Sequence, residues 1–152
     1  MKIAEALIKR AAIKSDLEEL KNRMIQNVKI QDGDMAQEDV YAIMDEYIRT
    51  SDYLTELIYK INRTNQQTTD DEGISLADMI TQRDTYKNIV KVYKSIYDEA
   101  MIRPSRYSRN EIKFISTVDV EKIQNSINEY SAKYRALDTK IQGINWTKDL
   151  IE

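Results

Sequence analysis

Two polar stretches carry the residue types that bind ions or partners. RYSRNEIKF, residues 106–114, sets Arg106, Arg109 and Lys113 against Glu111, with Tyr107 interleaved. It follows Arg103 and the single proline, Pro104, so the region holds a local charge of +3. Basic groups mixed with an aromatic ring have the composition of a nucleic-acid contact. The same arginines also suit a clamp onto the acidic run around Asp32, Asp34, Glu38 and Asp39, and the clamp is preferred. INRTNQQTT, residues 61–69, gathers Asn62, Arg63, Thr64 and Asn65 behind an apolar stripe. Arg63 with Asn62 and Asn65 can hold a phosphate or carboxylate. Asn and Thr at that position also close a helix by satisfying its last carbonyls, which is the simpler reading. The candidate recognition set is Arg63, Asn65, Arg106, Tyr107 and Arg109.

Catalytic templates do not match. The sequence has neither cysteine nor histidine. That removes disulfides, thiol nucleophiles, imidazole bases and the usual zinc or iron ligands together. There is no Gly-rich phosphate loop, no HExxH and no Glu-x-x-His pair of the di-iron type. DGDMAQED lacks the glycine placement and twelfth-position Glu of a calcium loop. Glu18/Glu19 and Asp70/Asp71/Glu72 read as solvated charge. The reading is a protein without cofactor or metal, with nothing that argues for an enzyme.

The elements that must position these stretches follow from composition and periodicity. The 152 residues include 32% charged positions, three glycines and ten tyrosines, with a net charge of −3. That suits long helices with mixed-sign surfaces in a single domain spanning 1–152, and gives no global attraction to nucleic acid or anionic lipid. Apolar positions repeat at helical spacing in four blocks. The first, about 3–28, uses Ile3, Leu7, Ile13, Leu17, Leu20, Met24 and Val28; the second, about 37–66, uses Val40, Met44, Tyr47, Leu54, Ile58 and Ile61. The third, about 76–101, uses Leu76, Met79, Tyr86, Val90, Tyr93 and Tyr97. The fourth, about 118–143, runs through Val120, Ile123, Ile127, Tyr130, Tyr134, Leu137, Ile141 and Ile144, a coiled-coil-like seam. Arg10, Ser51 and Arg83 interrupt the stripes, as register-setting polar residues or as the wall of a polar pocket.

Helix ends are expected at Gly33, Gly73 and Gly143, with Ser75 and Asp78 capping the third helix and Ser116 with Asp119, or Thr117, the fourth. Val28-Lys29-Ile30 and Ile112-Lys113-Phe114 alternate at strand period and could pair as a small ribbon over one end. In that arrangement Ile112 and Phe114 plug the bundle, and Phe114→Ala costs about 3 kcal/mol. The expected fold is mainly α: long antiparallel helices, as a four-helix bundle or paired hairpins. The tyrosine seam Tyr93, Tyr97, Tyr130 and Tyr134 offers more amphipathic surface than one slim bundle buries, which points to a homo-oligomer.

EALIKRA, INRTN, RYSRNEIKFISTVDV and LDTKIQGINWTKDL together resemble a septicolysin-like family of small bacterial proteins. The resemblance implies a helical protein without an established activity, and its label implies a cytolysin. The residues depart from that label: no export signal, no cysteine and no long amphipathic strand for a membrane barrel. The reading is therefore a cytoplasmic, non-enzymatic helical protein that self-assembles and acts through protein–protein contacts. It makes no use of membrane or nucleic acid. The alternative is a binding module for a small anion, nucleotide or RNA; a cytolysin ranks third.

Overall fold

The structure is a computed structural model that describes residues 1–101 and 114–151. It is all-helical in its long elements: α1 (Ile3–Asn27), α2 (Val40–Gln67), α3 (Leu76–Ala100) and α4 (Val120–Thr147). The chain forms two compact units, Met1–Leu76 with Gln142–Glu152, and Ala77–Ile141.

In the first unit α1 and α2 form an antiparallel hairpin. Ala6, Ile13, Leu57 and Ile61 are buried together, with Leu7, Leu17, Leu54 and Leu150 packed against them. The start of α1 thus meets the end of α2. Burial of Ile13, Leu57 and Ile61 contributes about 1.5–3 kcal/mol of transfer free energy each. The connection is held by Arg23, whose Nε donates to Glu38 Oε2 at 3.0 Å and whose Nη2 bonds Oε1. Asn27 Nδ2 donates to the Arg23 carbonyl, and the Glu38 amide donates to Asn27 Oδ1. Asp39 then caps α2 by accepting the Tyr41 amide at 2.9 Å. Gly33 in this turn has φ +94°, a left-handed conformation that glycine adopts without strain.

Between α2 and α3 the chain makes a tight turn. Asp70 Oδ1 accepts the amides of Glu72 and Ile74, Gly73 takes φ +81°, and the Leu76 amide donates to the Thr68 carbonyl at 2.8 Å. The N-terminus is closed by the C-terminal tail. Ile3 N–H donates to the Lys148 carbonyl, Leu150 N–H to the Met1 carbonyl, and Lys2 Nζ to Asp149 at 2.9 Å. That hydrogen bond from Lys2 holds the Asp149 carboxyl below its ordinary pKa.

In the second unit α3 and α4 run antiparallel. Tyr130 lies between Tyr86 and Tyr93, with ring centroids 6.0 and 6.1 Å away. Arg83 Nη1 reaches across to Asp138 at 3.2 Å, while its Nε and Nη2 bond Asp84. Partial burial opposes the Arg83 charge, and the two carboxylates outweigh it. Of the seam-interrupting residues Arg83 therefore fits the register-setting reading.

Several expectations change. The inward row of α2 is Ile43, Leu57, Ile61 and Thr64, and Met44 is exposed. Ile43-Met44 and Leu57-Ile58 are adjacent apolar pairs, so spacing alone does not say which member faces α1. Val28-Lys29-Ile30 is not a strand; α1 has ended at Asn27 and all three side chains are exposed. Among the described residues, the only bridges outside helices pair Lys2 with Asp149 and Thr69 with Ser75. Phe114 is 88% exposed and plugs nothing. Gly143 lies inside α4, which continues to Thr147. Asp119 itself caps α4, accepting the Glu121 and Lys122 amides. The start of α3 does not change: it begins at Leu76, directly after Ser75, with Asp78 in its first turn.

Candidate functional site

Of the recognition set, Arg106, Tyr107 and Arg109 lie outside the described residues, as do Pro104 and the other residues of 102–113. Two of the acids proposed to receive them are already engaged: Glu38 by Arg23, and Asp39 by the first turn of α2. The hydrogen bond from Arg23 holds the Glu38 carboxyl below its ordinary pKa.

Arg63 and Asn65 fall at the end of α2, where two separate arrangements meet. The first is structural. Thr64 is fully buried; its Oγ1 donates to the Lys60 carbonyl at 2.7 Å and accepts the Ile151 amide at 3.0 Å. The hydroxyl thus docks the C-terminal tail onto α2. Asn65 is half-buried, and its Oδ1 is buried without a hydrogen-bond partner among the described residues. Thr68 N–H closes the helix on the Thr64 carbonyl. Within INRTN the structural role thus belongs to Thr64, and neither Asn62 nor Asn65 satisfies a helix carbonyl with its side chain among the described residues.

The second arrangement is a surface groove of about 350 Å³ lined by Glu56, Tyr59, Lys60 and Arg63. These positions are spaced three, one and three residues apart, so they share one face of α2. All four side chains are exposed. Arg63 and Lys60 form no ion pair among the described residues. Beside it a smaller recess of about 140 Å³ is lined by Met1, Tyr53, Glu56, Leu57, Lys60 and Leu150, and Lys9 Nζ stands 4.9 Å from the centre of the Tyr53 ring. Of the residues lining this groove the sequence named Arg63 and not Glu56, Tyr59 or Lys60, although their helical spacing was legible.

What this surface can do is donate hydrogen bonds and present cations beside aromatic rings. Among the described residues no group of three or more carboxylates could hold a metal ion. The tyrosine seam lies in the second unit. Tyr93, Tyr97, Tyr130 and Tyr134 are all half-buried, with Tyr130 and Tyr93 stacked on each other. Among the described residues no helix is long and apolar enough to cross a membrane.

Comparison with known proteins gives a fold and no activity. The model of a family of unknown function (DUF6847) matches residues 10–150. A crystal structure of a functionally unknown conserved protein from Corynebacterium diphtheriae is 34% identical, covers 99% of both chains and superposes with a TM-score of 0.92. No curated protein matches. The septicolysin-like resemblance is thereby corrected: the family that matches is one of unknown function, and no septicolysin-like family is found.

Proposed function

This chain belongs to the DUF6847 family, whose function is unknown, and we propose that it is a non-enzymatic helical protein that self-associates and acts through protein–protein contacts. One observation carries the reading. Tyr41, Met44, Ile48 and Tyr59 stand exposed along a single helix, α2. Scattered exposed apolar residues are ordinary, but a row along one helix marks a surface that a partner covers. The half-buried rings of Tyr93, Tyr97, Tyr130 and Tyr134 leave aromatic edges that a second surface can use. The cysteine-free sequence supports placement in a reducing cytoplasm.

Light scattering after gel filtration tests this on the full chain. The expected mass is at least twice the 17.8 kDa of one chain. A monomer that persists at high micromolar concentration overturns the reading. A second reading, capture of a small anion, has in its favour that Arg63 is exposed and in no ion pair among the described residues. Titration with inorganic phosphate and with a nucleotide, repeated on Arg63→Ala, decides it. Binding that the variant loses would support capture, and no binding by the parent would end it.

A further inference from the structure

Resting on the self-association reading, we infer that the surface that pairs is the outer face of α2, and that it pairs antiparallel with α2 of a second copy of this chain about a two-fold axis near Asp52. The apolar part of the face comes first. Tyr41 is 79%, Met44 44%, Ile48 54% and Tyr59 68% exposed. At about 100° per residue they fall within about 60° of arc, turned away from Ile43, Leu57 and Ile61, which face the hairpin core. The row is interrupted by Ser51 and Thr55, small side chains that let two helices approach.

The charges choose the orientation. Asp45, Arg49, Glu56 and Lys60 are exposed, and none forms an ion pair among the described residues. Elsewhere helical charges do pair, as Lys21 does with Glu18 and Lys133 with Glu129. Along α2, Asp45 and Lys60 lie equally far from the midpoint between Asp52 and Tyr53, and so do Arg49 and Glu56. A two-fold antiparallel pairing about that midpoint therefore sets Asp45 against Lys60 of the second copy and Arg49 against its Glu56. Symmetry repeats each pair, giving four. The same pairing brings Met44 and Ile48 beside Tyr59 and Thr55 of the copy, within one helical turn. The groove lined by Glu56, Tyr59, Lys60 and Arg63 then receives the turn of the copy that carries Met44 and Asp45. Parallel pairing in register would instead oppose like charges at every one of these positions. Asp45 with Arg49 and Glu56 with Lys60 also stand acid before base at i,i+4, a spacing that suits pairing within α2, but neither pair is formed among the described residues and such pairing leaves the apolar row uncovered. Asp52 is the exception: near the axis it meets its own copy, so this position opposes association.

Sedimentation equilibrium on the full chain, with far-UV circular dichroism as the folding control, tests the pairing. Asp45→Lys and Lys60→Asp should each raise the dimer Kd by about tenfold or more, because each breaks two symmetry-related pairs. The combined variant should return close to the parent. Asp52→Asn should tighten the dimer, and Ile48→Asp should leave a monomer. Since the chain has no cysteine, Asp52→Cys supplies a unique thiol that should oxidise to a cross-linked dimer. The charge swap and the cross-link use exposed positions, so they stand even if Ile48→Asp fails to fold. A parent dimer whose Kd ignores both reversals, with no cross-link through residue 52, overturns this pairing while self-association stands through another surface. A monomeric parent overturns both.

Discussion

Thr64→Val should release the C-terminal tail without unfolding the helices. Thr64 is fully buried, and valine keeps its shape while removing the hydroxyl. The Lys60 carbonyl loses one donor but lies within α2, where the helical ladder also uses it. The Ile151 amide, which donates to Oγ1 at 3.0 Å, loses its acceptor. Orphaning a buried donor costs about 1–3 kcal/mol, and because Ile151 is only half-buried the lower part of that range applies. A penalty of about 1.4 kcal/mol corresponds to about tenfold in the opening equilibrium of the tail. Hydrogen exchange should therefore show the Ile151 amide exchanging about tenfold faster, while amides in the middle of α2 keep their rates. Thr64→Ser is the control. It retains the hydroxyl and loses one methyl group, worth about 0.8 kcal/mol, so it should lower overall stability slightly without singling out Ile151. If the Ile151 amide exchanges in Thr64→Val at the parent rate, the hydroxyl is not what docks the tail.

Two further outcomes follow from the same structure. Phe114→Ala should change stability by no more than about 0.5 kcal/mol in thermal or urea melts, because an exposed ring buries almost no surface; a loss near 3 kcal/mol would show that Phe114 is packed after all. Glu38→Gln should lower stability at neutral pH and flatten the acid limb of the pH profile. The Arg23 bond depresses the folded-state pKa of Glu38 below its unfolded value. The stabilisation is thus fully present above the unfolded value of about 4.3 and is lost as pH falls through the folded one. Melts of parent and variant from neutral pH down to about pH 3 read the difference, and parallel curves would refute it.

Helical periodicity alone determined that the chain is mainly α, with four long helices near the expected bounds, since a stripe every three or four residues has no stable alternative as a strand. Residue type marked INRTN, and Thr64 shows why a polar group belongs there: it satisfies an amide that comes from 87 residues away. Which member of an adjacent apolar pair turns inward on α2 was not legible, because Ile43 and Met44 are alike until α1 is placed beside them. The same holds for helix ends. Gly143 has stop chemistry, yet α4 passes through it, and its neighbour Asn145 is buried. Local propensity is worth about 1 kcal/mol at such a position, and tertiary packing overrides it. The acid run around Glu38 looked like a partner for the distant arginines, but Arg23, one connection away, reaches it first. Sequence could name the charges; only the folding of α1 against α2 decided which of them were spent inside the hairpin and which were left on the outer face of α2.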